Sequence, residues 1–355
     1  MLQNMSNLNR NYADLLRPTK LSDIKSQEFA VNLVTNMVRE GNWSNRLLIT
    51  GDTGTGKTSL AFIIAKLFLC NQPNKENLVP CGVCNNCQLW RESTPPTHPK
   101  LVFIEATTQG GKEDASIITD VMYSAGGKRV LLIDECAELT KAAQTLLQVP
   151  LETVMLKNSN LLLIACTAYP QNLKVDFRHR FTPIKFRSIP TADLVELGKQ
   201  VLDDLNIEYE DLALACIANH CENSYRGFLT SLEALVKSLP DTEEKILDEA
   251  HCCNYFGVLT NKARTNLINL VLSGKFNEKH IAKLREKNIN AAKFAKDLLA
   301  DVINLNLAGK LKDAKLVYQL IRDVLIVDQR YQFDMLVFAL QTLSNTANES
   351  NNKSI

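Results

Sequence analysis

Leu47-Leu48-Ile49-Thr50-Gly51-Asp52-Thr53-Gly54-Thr55-Gly56-Lys57-Thr58-Ser59 is the stretch that decides the fold of this chain. A short apolar run leads into three glycines that close on Lys-Thr, and a second apolar run of helical length follows to Leu69. Gly51 through Thr58 satisfies the phosphate-loop pattern in full. The glycines let backbone N–H groups curl around phosphate oxygens, and the helix N-terminus adds its positive end. Lys57 is expected to reach the β- and γ-phosphates of a nucleotide and Thr58 to hold Mg²⁺, with Asp52, Thr53, Thr55 and Ser59 completing the cradle.

Outward from that loop the first half of the chain alternates two periodicities. Arg46–Thr50, Leu101–Glu105, Val130–Asp134 and Asn160–Thr167 are short apolar runs of strand length, and Phe181–Phe186 adds a fifth. Helical stretches separate them, among them Ser59–Phe68, Ala115–Ser124 and Lys141–Met155. Strand and helix in turn predict an α/β fold, a parallel sheet with helices on both faces. Val130-Leu131-Leu132-Ile133 ends in Asp134-Glu135, so two carboxylates emerge where a buried strand leaves the sheet. Asp134 suits the Mg²⁺ shell and Glu135 suits polarising an attacking water, which together with the loop reads as ATP hydrolysis. Thr167, ending the next strand, could sense the γ-phosphate or simply cap the strand.

After Ser188-Ile189-Pro190 the strand signal stops. Helices are expected from Thr191 to about Asp204, near Asp211–His220 and over Tyr225–Leu239, with a boundary at Pro240-Asp241. From Val258 to about Leu343 apolar residues recur at three- and four-residue spacing, enough for five or so amphipathic helices. Residues 344–355 are mostly Asn, Ser and Thr and are expected to be disordered. The divisions drawn are 1–187, 188–243, 244–343 and 344–355.

Cys81-Gly82-Val83-Cys84-Asn85-Asn86-Cys87 overlaps two C-x-x-C steps, and Cys70 lies a short way upstream. Four thiolates at that spacing can close a tetrahedral structural zinc site, in a module of about residues 70–90. Catalytic zinc would want an open position and usually His or carboxylate ligands, and a redox dithiol fits poorly with four cysteines. Cys136, Cys166, Cys216 and Cys221 lie on apolar segments and read as core thiols, and His251-Cys252-Cys253 as packing.

Composition limits the partners. The 355 residues carry 40 Lys and Arg against 39 Asp and Glu, a net charge of +1, so no global basic field drives nucleic-acid binding. Aromatic content of 6% does not point to base-stacking platforms. The polar start and the strand-length apolar runs predict neither signal peptide nor membrane span, and ten cysteines then fit a reducing, cytoplasmic setting.

In this order the residues resemble a known set, the clamp-loader ATPases of the bacterial DNA polymerase III gamma/tau type, across about 8–240 and more loosely to 343. The resemblance is carried by Leu16-Arg17-Pro18, Asp23-Ile24, Gln27-Glu28, the phosphate loop, the cysteine insertion, Asp134-Glu135, and Ala165-Cys166-Thr167 with Pro170-Gln171. It implies an AAA+ P-loop NTPase domain with an inserted zinc module, then a helical lid (188–243) and an all-α collar for oligomerisation (244–343). It places Arg17 and Ile24 at the nucleotide. The family's Ser-Arg-Cys finger falls at His179-Arg180-Phe181, so Arg180 is expected to reach a neighbouring subunit's ATP; Arg178 lies close by. The sensor arginine of the lid falls at Asn223-Ser224-Tyr225-Arg226-Gly227, assigning Arg226 to the γ-phosphate, although Gly227 replaces an acidic residue. The segment Thr107–Asp114, with Gln109, Gly110, Gly111 and Lys112, stands where the family meets DNA but lacks most of its basic residues. Implied partners are a sliding clamp, companion loader subunits and primer–template DNA; the family's long tau-type tail is expected to be absent. Another AAA+ remodeller such as a helicase loader, or a non-catalytic structural subunit of the loader, are the other readings.

Overall fold

The computed structural model describes residues 11–106, 111–124, 126–155, 159–240, 245–307 and 314–352. In chain order the first part comprises α1 (Tyr12–Leu15), α2 (Glu28–Glu40), β1 (Arg46–Thr50), α3 (Lys57–Leu69), α4 (Asn85–Gln88), β2 (Leu101–Glu105), α5 (Gly111–Tyr123) and β3 (Arg129–Asp134). It continues through α6 (Lys141–Leu146), α7 (Gln148–Thr153), β4 (Leu161–Thr167), α8 (Val175–Arg178) and β5 (Thr182–Lys185). The second part holds α9 (Thr191–Leu205), β6 (Glu208–Tyr209), α10 (Asp211–His220), α11 (Tyr225–Ser238), β7 (Ile246–Leu247), α12 (Glu249–Phe256) and α13 (Asn261–Leu272). It ends with α14 (Glu278–Glu286), α15 (Ala291–Leu307), α16 (Ala314–Ile326) and α17 (Gln332–Asn352).

Five strands form one parallel sheet in the order β2-β3-β4-β1-β5. The apolar runs of the inner strands β1, β3 and β4 are buried on both sides, and successive residues face opposite layers. Leu47, Ile49, Val130, Leu132, Leu162 and Ile164 join one core with α2 and α3. Leu48, Leu131, Ile133, Leu161, Leu163 and Ala165 join the other, with α5, α6 and α7. That explains why these strands read as unbroken apolar stretches without polar alternation. It also explains α3, where all but two of the 13 residues are buried. Truncating a buried leucine here, such as Leu132→Ala, costs about 2–5 kcal/mol.

The expected helix Lys141–Met155 is two helices, α6 and α7, meeting at Leu147. Pro150 has no N–H, so the Leu146 carbonyl loses its i→i−4 donor at the junction. Two-residue strands β6 and β7 pair in parallel within the region expected to be wholly helical.

Contacts group the described residues into two units, 11–194 with 222–230, and 195–221 with 231–352. The sequence divisions at 187 and 243 do not coincide with this grouping. Residues 222–230 join the sheet unit because Ser224 and Arg226 pack on the phosphate loop.

In the second unit α13–α17, the five helices expected from periodicity, bury Phe294, Leu298, Ile321, Val324, Leu336 and Leu340 against one another. Within the same unit His220 donates from Nδ1 to the Cys216 carbonyl at 2.7 Å, and Arg264 lies 3.4 Å from Asp297. The expected disordered tail is corrected: α17 runs on to Asn352. Ser344 is buried and its Oγ accepts from the Phe276 amide at 3.3 Å, so the helix is anchored beyond Leu343 and propagates from there. No helix of the described residues is long and apolar enough to cross a membrane.

Candidate phosphate site and cysteine cluster

The strand register assembles the site. Thr50, at the end of β1, stands beside Thr167 of β4, and Ile133 of β3 stands beside Ala165. The loop after β1, the carboxylates after β3 and the end of β4 therefore emerge along one sheet edge. β1 neighbours β4 and not β2, so the strand order reverses at this place, where α/β sheets form their ligand crevice.

Three glycines shape the loop. Gly51, Gly54 and Gly56 have φ of 151°, 75° and 104°, all where side chains are strained. A Cβ on Gly54 would sit 2.2 Å from Ser224 Oγ, and one on Gly51 would sit 2.6 Å from Phe186 Cβ. Gly56 caps α3 without a side chain to accept from its first amides, leaving those donors for an anion. Lys57 is buried and its Nζ donates to the Asp52 carbonyl at 2.8 Å; Thr55 Oγ1 donates to the same oxygen at 2.8 Å. Asp52 is held by Ser188 Oγ, which donates to Oδ2 at 2.7 Å.

Thr58 Oγ1 donates to Asp134 Oδ2 at 2.8 Å, joining the two residues assigned to one metal. Glu135 follows in a left-handed conformation, φ 48°, and its amide donates to Asp134 Oδ1 at 3.2 Å. The Ala168 backbone, at the exit of β4, favours the charged form of the Glu135 carboxylate. Burial, then the neighbouring Asp134, push the Glu135 carboxyl up, with Lys57 opposing. Burial likewise pushes the Lys57 amine down, against the pull of Glu135. Thr167 is fully buried and its Oγ1 accepts from the Tyr169 amide at 2.9 Å, which leaves its O–H to donate.

Two guanidinium groups converge here. Arg17 Nε donates to Ser59 Oγ at 3.2 Å, with its guanidinium 5.6 Å from the centre of the Phe62 ring. The Arg226 amide donates to the Gly54 carbonyl at 3.3 Å. Burial lowers the pKa of Arg17, and the charge of Arg226 lowers it further. Two like charges beside a glycine loop suit an anion between them. Ile24 is buried in the core with α3 and offers only apolar surface.

Arg180 is not at this edge. It lies between α8 and β5, and Thr182 pairs with Leu47 near the start of β1 whereas Lys185 pairs with Thr50. Its Nη2 contacts Glu152 Oε1 at 2.6 Å and its Nη1 donates to the Asp176 carbonyl. Arg178 makes no ion pair among the described residues. Thr107–Gly110 lie outside the described residues, as does the side chain of Lys112.

Sequence reasoning passed over three contributors: Glu152, Ser224 as packing for Gly54, and the Ser26 contacts. Ser26, φ 59°, donates from Oγ to Asp193 Oδ2 at 2.5 Å and lies 2.9 Å from the Tyr225 hydroxyl, beside Arg226. No residue spacing signals such a contact; only the fold brings 26, 193 and 225 together.

The cysteine cluster is built by local turns. Cys70 caps the end of α3, and Asn74 Oδ1 accepts from the amides of Glu76 and Asn77, both at 2.9 Å. Gly82, φ 74°, turns the knuckle, and Cys84 caps α4, which carries Cys87. Buried Asn86 ties α4 to the end of α3, donating to the Leu69 carbonyl at 2.7 Å. The four Sγ atoms all lie within 4.8 Å of one another, with Cys81–Cys87 at 3.9 Å and Cys84–Cys87 at 3.5 Å. A tetrahedron of about 2.3 Å Zn–S bonds has edges of about 3.8 Å, so the donors fit zinc. The Cys81 amide donates to Cys70 Sγ and the Cys84 amide to Cys81 Sγ, each at 3.3 Å, an arrangement that favours thiolates. Backbone amides, that of Asn71 first, pull the Cys84 thiol down to about 6. Burial and then the contact with Cys84 push Cys87 up to about 12, a cost to the thiolate that a divalent cation would offset. Cys136, Cys166, Cys216 and Cys221 are buried thiols, as expected.

Comparison with known proteins follows the same lines. Residues 26–189, a little under half of the chain, match the family model described as DNA polymerase III, delta subunit. The chain is 27% identical over 225 residues to DNA polymerase III subunit tau of Escherichia coli K12, covering 62% of this chain and 34% of that one. It is 24% identical over 302 residues to subunit gamma/tau of Mycoplasma genitalium, covering 84% and 49%. Against subunit gamma of Buchnera aphidicola it is 27% identical over 268 residues, covering 73% and 70%. The chain thus spans about a third to a half of the tau and gamma/tau relatives. Among solved structures, the Thermotoga maritima RuvB Holliday junction branch migration motor aligns at TM-score 0.50 and 19% identity, covering 72% of this chain and 79% of that one. These matches bear out the resemblance to clamp-loader subunits of the gamma/tau type, and the fold is that of the AAA+ ATPases.

Proposed function

We propose that this chain is an ATPase subunit of a DNA sliding-clamp loader, using ATP binding and hydrolysis to place a clamp on primer–template DNA. The observation that carries the reading is the Thr58–Asp134 hydrogen bond at 2.8 Å, beside Lys57 and Glu135 at the glycine-loop edge. An intact hydrolytic set favours a working ATPase over a purely structural subunit. The gamma/tau relatives favour a clamp loader over a helicase loader.

In this reading the loop amides from Gly51 to Ser59 cradle the phosphates, and Lys57 turns from the Asp52 carbonyl to the β- and γ-phosphates. Thr58 and Asp134 would hold Mg²⁺, which neutralises charge on the phosphates when bound. Glu135 orients and deprotonates the attacking water. Arg17, Arg226 and Thr167 face the phosphate end, and Ile24 offers apolar surface to the base. Cys70, Cys81, Cys84 and Cys87 would hold a structural Zn²⁺.

Arg180 completes the set in trans. From the far edge of the sheet it cannot reach its own loop, and an arginine supplied by a neighbour makes turnover depend on assembly. ATP then ties companion subunits into one grip on clamp and DNA, and loss of the γ-phosphate releases it.

The test is co-purification of the full chain from its own cells with and without a non-hydrolysable ATP analogue. Recovery of a sliding clamp and other AAA+ subunits with the analogue is expected. Recovery of a replicative helicase without a clamp overturns the loader reading in favour of a helicase loader.

A further inference from the structure

One stretch of the second unit gathers positive charge. Between Lys275 and Lys296 there are seven Lys or Arg against two Glu, a net of +5 in a chain whose whole net charge is +1. Helix α14 organises it. Ile281 and Leu284 bury one face of the helix in the core of α13–α17. Lys279, Lys283 and Lys287 follow at four-residue spacing and are exposed. At 3.6 residues per turn they fall within an arc of about 80° on the side away from that core, about 6 Å apart along the axis. Lys275 is exposed just before the helix, and none of these four lysines makes an ion pair among the described residues. Like charges four residues apart weaken a helix, and only the last turn gains from its dipole.

We infer that the lysine face of α14 is a docking surface for the phosphate backbone of nucleic acid. The ammonium groups stand in a row and do not converge, so they suit a linear polyanion better than a single phosphate or nucleotide. On the helix surface the row is flanked by Glu286, His280 and Ala282, none of them a large apolar residue, so the face lacks the apolar centre of a protein interface. Phosphate contacts need no such centre and carry no sequence preference.

The test compares the full chain with Lys279→Ala/Lys283→Ala/Lys287→Ala, both carrying Lys57→Ala so that nucleotide plays no part. Fluorescence anisotropy with labelled 30-mer duplex is followed against salt. Three lost phosphate contacts should reduce the slope of log affinity against log salt by about 2 to 3. Affinity near 0.1 M salt should fall at least about tenfold, and the triple Lys→Arg variant should retain both. An unchanged slope in the alanine variant overturns the proposal. So does loss of poly-glutamate binding with duplex binding intact, which would assign the face to an acidic protein segment. Unchanged thermal melting separates either outcome from misfolding.

Discussion

Arg180 and Lys57 lie at opposite edges of the same sheet. β5, entered just after Arg180, pairs Thr182 with Leu47, whereas Lys57 follows the far end of β1. The length of β1, about 15 Å at about 3.3 Å per residue, separates the two edges. An arginine side chain is shorter than that separation, so the proposed contact with a nucleotide would come from a second subunit. Glu152 and the Asp176 carbonyl hold the guanidinium meanwhile; the Glu152 pair, being partly exposed, contributes at most about 1 kcal/mol and is readily exchanged for a phosphate. Arg180→Ala is therefore expected to lower ATP turnover of the assembled protein by about 10³-fold or more. Nucleotide affinity of the isolated chain, read by fluorescent-ATP titration, should stay within about twofold. A large loss of affinity in the isolated chain would contradict the placement.

The pH dependence of turnover should be narrow on both sides. Glu135 acts as a base only when ionised, and burial with Asp134 raises its pKa, so activity should fall on acidification before an ordinary carboxylate titrates. Lys57 is shifted down by burial, so the alkaline limb should begin below the usual lysine range. The stability sign follows: a carboxylate with a raised folded pKa costs stability at neutral pH, and the cost disappears as pH falls through that value. Glu135→Gln should thus melt slightly higher than the parent at pH 7 and no higher at acid pH. Melting curves at the two pH values check this.

Gly54 and Gly41 separate conformation from crowding. Both have positive φ, 75° and 68°, but a Cβ on Gly41 meets nothing within 4 Å while one on Gly54 meets Ser224 Oγ at 2.2 Å. Gly41→Ala should lose about 1–2 kcal/mol of stability and keep nucleotide affinity. Gly54→Ala should lose more stability, and at least about tenfold in affinity, because Ser224 and Arg226 must move. Chemical denaturation and nucleotide titration on both variants distinguish the cases.

Much of this was legible in the sequence where a residue's role is local. The phosphate loop, the carboxylates closing β3 and the cysteine spacing need only neighbours in the chain, and the buried strands announce themselves as unbroken apolar runs. Helix α2 was overlooked, although Ala30, Val34, Met37 and Val38 repeat at helical spacing and are buried. Other features depend on register and tertiary packing. The edge on which Arg180 sits follows from pairing Thr182 with Leu47, and the left-handed Glu135 from its position at the end of β3. The break between α6 and α7 was readable at Pro150, but the anchoring of α17 by Ser344 required the fold.

The cysteine cluster should bind about one zinc per chain. Removal by a strong chelator, or Cys84→Ser, is expected to lower the melting temperature by at least about 5 °C, since metal binding contributes directly to folding. Elemental analysis before and after chelation, paired with melting curves, reads both. A chain that carries no zinc when purified from zinc-supplemented cells would contradict the assignment.

The most direct test of the central claim is a pair of single substitutions in the assembled full chain, measured for ATP binding and for ATP hydrolysis. Lys57→Ala should abolish both. Glu135→Gln should keep binding within about threefold while lowering turnover by about 10²-fold or more, the loss expected for a general base. Undiminished hydrolysis in either variant would show that this sheet edge is not where ATP is turned over.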